Sequence, residues 1–328
     1  MTNNKTISFL LGSGFSIKAG LPNSESLNSV FIKFSIKDFD NLFDGINRFF
    51  NKEEIRILGN LLDAFALKHS DFNYEEFYDY FYFERLNNFN RIDLLINLLV
   101  YRKLKENEVK LNDYLIFLTT IKEISNKNKV DIFTLNHDIL LEEILLIKNV
   151  EFHDGFSLIN DVPVFDNNFN SKINIVKLHG SINWFYYYEP NITPKDPNNR
   201  FPEKKIFKST VIEQFCENHE NINNLIPLFL TGKNVKSEKS KNNIYLNQLL
   251  SQFKDNIGKS EELIIIGYSY GDAYINMILQ SEIEKSKSIK RIININPNVD
   301  FPYSFDNCVV FNYKEYDWLE KFPLILNC

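Results

Sequence analysis

His179 stands directly before a glycine in KLHGSINW (177–184), at the end of an apolar run. Histidine exchanges a proton near neutral pH, so one held at the carboxyl end of a strand beside a flexible glycine is a candidate general base. A lone histidine is more often structural, and the reading depends on its company. GSGFS (12–16) follows the apolar run TISFLL, TLNHD (134–138) ends a second run, GYSYGD (267–272) ends a third, and Asn296-Pro297 ends a fourth. All five clusters fall where the carboxyl ends of parallel strands meet a ligand.

Each cluster has a chemical and a structural reading. In FLLGSGFSIKAGLP (9–22), Gly12, Ser13, Gly14 and Ser16 lie between a strand and a helix. A loop of this kind gathers backbone N–H groups at a helix start, and the missing side chains at Gly12 and Gly14 admit a phosphate. It is a candidate dinucleotide cradle and equally a tight turn. It lacks the third glycine of GxGxxG and the Gly-Lys-Ser/Thr of a phosphate loop. Asn136 and Asp138 are polar groups at a strand end, and each also suits a helix cap; Asp138, directly before the periodic run, suits it better. His137 reads as structural or as a pocket wall. Gly267, Ser269 and Asn296 also read as ordinary turn chemistry.

The elements that must position these residues follow from the apolar pattern. Residues 6–11, 130–136, 173–180, 262–269, 291–297 and 308–311 read as strands or strand-then-turn, and 225–230 as a further short strand. Helices are expected at 138–147 and 272–285 and, by three- and four-residue apolar spacing, at 55–67, 74–86, 92–104 and 111–124. The aromatic run EEFYDYFYFERL reads as a core helix, and the proline-rich segment 189–202 as loop. Continuous Ile/Val/Leu strands separated by helices imply a parallel sheet covered on both faces. The expected fold is α/β: a doubly wound parallel sheet with a helical insertion. The sheet domain would hold residues 1–35 and 113–328, and the inserted module residues 36–112.

Composition bounds the rest. The 328 residues carry a formal net charge of −6, which argues against direct nucleic-acid binding. Cys216, Cys308 and Cys328 form no CxxC pair, so neither a disulfide framework nor a zinc ribbon is expected, and the thiols suit a reducing cytoplasm. The first apolar run is too short for a signal peptide, and no run reaches the length of a membrane span.

Taken together, the motifs resemble the sirtuins. The chain matches that family's pattern at Gly12-Ser13-Gly14-Phe15-Ser16, Gly20-Leu21-Pro22, Asn136-His137-Asp138, His179-Gly180, Gly267-Tyr268-Ser269 and Asn296, in order and over nearly the whole length. The resemblance implies a Rossmann-like fold that binds NAD and cleaves the bond between nicotinamide and ribose. It implies that the loop with Gly12, Ser13, Gly14 and Ser16 holds the pyrophosphate of NAD and that Pro22 also contacts the cofactor. Gly267, Ser269 and Asn296 would lie on the adenosine side. Asn136 would orient the attacking water and the nicotinamide ribose, and His179 would accept a proton from that water or a ribose hydroxyl. Asp138 would hold the nicotinamide amide or cap its helix.

The departures select a branch. Sirtuin deacylases carry two CxxC pairs of a zinc module between the HG and GxS motifs, where this chain has only Cys216, so no metal is expected. They read Asp-Phe-Arg where this chain has Asn23-Ser24-Glu25. TLNHD, KLHGSINW and GYSYGDAYIN resemble the bacterial sirtuin-like proteins of anti-phage defence, which hydrolyse NAD and deplete the infected cell. This implies an NAD+ glycohydrolase acting in abortive infection. Such an enzyme needs control by homo-oligomerisation or by a companion protein: an ATPase, an Argonaute-like protein or a nucleotide-sensing subunit. The alternatives are a non-catalytic NAD or ADP-ribose sensor, or an NAD-dependent deacylase or ADP-ribosyltransferase.

Overall fold

The structure is a computed structural model that describes residues 5–32, 52–69, 71, 73–83, 89–105, 109–159, 161–188, 204–209 and 227–327. The expected loop at 189–202, Cys216 and the insertion's first part, residues 36–51, lie outside the described residues. In chain order, β1 (Thr6–Leu11) leads into the short helix α1 (Ser13–Ile17) and then α2 (Ser24–Ile32). Helices α3 (Lys52–Lys68), α4 (Tyr74–Phe83), α5 (Phe89–Lys105) and α6 (Leu115–Ser125) precede β2 (Lys129–Thr134) and α7 (Leu140–Ile147). Strands β3 (Phe156–Ile159), β4 (Val162–Phe165), β5 (Ile173–Lys177), β6 (Gly180–Tyr188), β7 (Lys204–Lys208) and β8 (Pro227–Phe229) follow. Helices α8 (Val235–Asn242) and α9 (Ile244–Ile257), β9 (Glu262–Ile266), α10 (Ala273–Lys285), β10 (Arg291–Ile295), β11 (Val309–Tyr313) and α11 (Trp318–Asn327) complete the order.

The fold is the expected α/β one. Six parallel strands run in the order β11-β10-β9-β1-β2-β5. The chain first winds from β1 toward β5, then returns across β1 and winds the other way from β9 to β11. The strand order therefore reverses between β1 and β9, and a doubly wound sheet opens its ligand crevice at such a point.

Both faces of the sheet are covered, and the two-residue period of each strand assigns its side chains. Phe9, Leu11, Ile132, Ile264 and Ile266 pack with α6, α7 and α11 in one core. Leu10, Phe133, Leu263 and Ile265 pack with α9 and α10 in another. The described part of the aromatic run, 75–83, does build a core: Phe77, Tyr78 and Phe81 of α4 are buried with residues of α2, α3 and α5. That third core also takes in Ile182, Phe229 and Val235, so the helical block leans on β6, β8 and α8.

A second sheet was not apparent from the sequence. Strands β3-β4-β7-β6-β8 pair antiparallel, with Trp184, Phe156 and Phe165 joining the second core. Gly180, expected to end a strand, instead opens β6. It sits at φ 77°, where a Cβ would come within 2.2 Å of Leu228 O. Among the described residues no helix is long and apolar enough to cross a membrane.

Candidate functional site

A cavity of about 290 Å³ opens at the strand-order reversal. Its sheet wall consists of Gly12, Ser13 and Ser16 after β1, Asn136, His137 and Asp138 after β2, His179 after β5, and Ser269 and Asp272 after β9. Pro22 contributes to the rim. Facing them are Asn73, Tyr74 and Glu75 of the helical block and Lys233 and Lys236 at the start of α8. Residues far apart in sequence thus meet because parallel strands deliver their carboxyl ends to one edge.

The glycine loop is held by its neighbour rather than left open. Gly12 N–H donates to Ile266 O and Gly14 N–H to Gly267 O, each at 2.9 Å, and Phe15 N–H returns to Gly12 O at 3.0 Å. A Cβ on Gly12 would stand 2.6 Å from Gly267 O, and one on Gly14 would stand 2.7 Å from Gly267 Cα. These side chains are therefore missing because two loops touch backbone to backbone. The loop offers the cavity Gly12 itself, the exposed Ser13 and the Ser16 hydroxyl; Gly14 and Gly267 stand behind this wall. Asn296 also lies outside the lining. Its Nδ2 donates to Tyr268 O at 2.8 Å, and its Oδ1 accepts from Asn298 N and Val299 N, so it braces the 267–269 turn from behind.

Asn136 ties the second strand end to the first. Its Nδ2 donates to Gly12 O and to Ser16 Oγ, each at 3.0 Å, and the residue is 9% exposed. Asp138 Oδ1 accepts from Leu140 N at 3.1 Å, although the N-cap of α7 is Ile139 and not Asp138, and Asp138 lines the cavity. Behind it, the buried Lys177 ammonium meets Asp138 O and, at 3.1 Å, Glu142 Oε1. Burial pushes the Glu142 carboxyl up, and the Lys177 charge only partly offsets this.

The histidines divide the work. His137 is half-buried beside Phe229, and burial, with the charges of His179, Lys236 and Lys177, pushes it well below the usual imidazole range. It therefore stays neutral, and its Nδ1 finds no hydrogen-bond partner. The His179 ring lies 6.2 Å from it, centroid to centroid, with Nε2 3.1 Å from Asp272 Oδ2. Burial pushes the Asp272 carboxyl up, but His179, Lys236 and the backbone N–H of Ile275 outweigh it and hold the group at about 2. Lys236 pairs in turn with Glu75 of α4 at 2.6 Å.

Sequence reasoning did not single out Asp272, Lys236 or Glu75. Asp272 was within reach, since it ends GYSYGD directly before a helix; Lys236 and Glu75 carry no local signal. Among the described residues no group of three or more His, Cys, Asp or Glu side chains is placed to hold a metal ion.

A family model described as a SIR2-like domain matches residues 130–303. Solved structures similar to the chain include one from work on the structural basis of sirtuin substrate affinity, 15% identical over 99% of this chain and 94% of that one, with a TM-score of 0.46. Another comes from work on the mechanism and regulation of Sir2 enzymes, 13% identical over 99% and 93%, with a TM-score of 0.45. A third is a Sir2 homolog–NAD complex, 12% identical over 99% and 90%, with a TM-score of 0.43. No curated protein matches the sequence.

Proposed function

We propose that this chain, which belongs to the SIR2-like domain family, is an NAD+ glycohydrolase. The supporting observation is that Asn136 and His179 line one cavity with the β1 loop at the strand-order reversal. In the reaction, the bond between the nicotinamide nitrogen and the ribose anomeric carbon breaks, and its electron pair goes to the nitrogen, leaving neutral nicotinamide. Positive charge builds on the ribose, as in other glycosidic cleavages. Water adds its oxygen to the anomeric carbon and yields its proton to His179, giving ADP-ribose. Asn136, fixed on Gly12 O and Ser16 Oγ, would orient that water and the ribose hydroxyls. The dinucleotide would span from the β1 loop to Ser269. We further propose that the activity serves anti-phage defence in the cytoplasm, held in check by self-assembly or by a companion protein.

The test is to incubate the chain with NAD, alone and with the product of a neighbouring gene, and to quantify nicotinamide and ADP-ribose. Equal release of both is expected. Asn136→Ala and His179→Ala should each lower it by about 10²-fold or more. NAD binding without release in any condition would favour a sensor instead.

A further inference from the structure

The sirtuin motifs assign no role to Asp272, yet it is among the most constrained side chains of the cavity. It caps α10 through Oδ1, which accepts from Tyr274 N and Ile275 N, each at 3.0 Å. The backbone carbonyl accepts from the Tyr268 hydroxyl at 3.1 Å. These bonds fix the carboxylate plane. Its other oxygen, Oδ2, is buried and has no well-aligned hydrogen bond; the group beside it, at 3.1 Å, is His179 Nε2. A buried carboxylate oxygen left without a donor is costly, and a slight turn of the imidazole would supply one.

We propose that Asp272 is the positioning residue for His179: its capped carboxylate holds Nε2–H and leaves Nδ1 as the nitrogen that takes the proton. The proposal rests on the glycohydrolase reading for its kinetic part only. The chemistry is general: a carboxylate bound to one imidazole nitrogen selects the tautomer and favours the imidazolium formed when the other nitrogen accepts a proton. The groups facing His179 agree with this assignment. His137, from the β2 side, is neutral and adds no charge. From α8, Lys236 acts on Asp272 and is paired with Glu75 of α4, while the Asp272 carboxylate stands 3.1 Å from His179 Nε2.

Asp272→Asn keeps a capping oxygen and removes the charge. Asp272→Ser keeps a cap and lacks the carboxylate, and serves if the first variant does not fold. With NAD as substrate, Asp272→Asn is expected to lower kcat about 10- to 100-fold with little change in KM. Asp272 stays ionised across the working range. Unchanged kcat in Asp272→Asn would overturn the proposal. Nitrogen-15 NMR of histidine-labelled protein, with His179 assigned by its loss in His179→Gln, gives a readout that needs no activity. The wild type should show the Nε2–H tautomer and Asp272→Asn, whose amide nitrogen would donate to Nε2, the Nδ1–H tautomer. The same tautomer in both would overturn the proposal. A wild type that holds the tautomer but releases no nicotinamide would sink the glycohydrolase reading and leave the Asp272 assignment standing.

Discussion

The two walls of the cavity are built by different physics. On the sheet side, loops after β1 and β9 interlock backbone to backbone, with glycines at each contact. On the helical side, α4 is fastened to the 231–236 turn by charge. Asp79, buried in α4, accepts from the N–H groups of Lys233, Asn234 and Val235. Glu75 and Glu76 of the same helix pair with Lys236 and Lys233. The first wall cannot shift without breaking the sheet. The second is held by these polar contacts together with the apolar core in which Ile182, Phe229 and Val235 join the helical block.

The strongest way to break this contrast is Gly267→Ala. Gly267 adopts φ 63°, and its added Cβ would stand 2.4 Å from Gly14 C. Chemical denaturation should show a loss of about 3 kcal/mol or more. Gly59→Ala in α3 is the control: nothing lies within 4 Å of its Cβ, and a gain of about 0.5–1 kcal/mol is expected. Next in size is Asp79→Ala, which leaves three N–H groups without their acceptor. It should cost about 2–4 kcal/mol and speed hydrogen exchange across 231–236 while β1 and β9 keep their protection. The smallest effect is expected for Lys233→Gln. Its pair with Glu76 is nearly half exposed on both sides, so stability should change by less than about 0.5 kcal/mol, and high salt should erase the change. A large loss there would mean that the helical wall is not held as described.

What could be read from the sequence tracks how local the cause is. Strands such as TISFLL and ELIII announce themselves because a parallel strand buried on both faces must be apolar throughout. Their carboxyl ends carry the polar clusters, so Asn136, Asp138 and His179 could be named before any coordinates. The antiparallel sheet was opaque. Its three-residue strand β8 falls within the short strand expected at 225–230, but β7 reads KKIFK and β6 starts at the glycine that looked like a terminator. The meaning of the first glycines was also hidden. Their spacing suggested room for a phosphate, whereas the room is taken by Gly267 and Tyr268, some 250 residues onward. Asp272, Lys236 and Glu75 come together only through the crossing of α4, α8 and α10, which no periodicity encodes.

The glycine interlock also restricts how such a protein can diversify. Gly12, Gly14 and Gly267 each occupy space that the others' backbones leave, so a change at any one is penalised unless another moves with it. Ser13 and Ser269 sit in the same two loops, line the cavity and bear no part of that interlock. Within these two loops, inheritable variation in what the cavity accepts is thus left to the two serines, while the frame that carries them stays still.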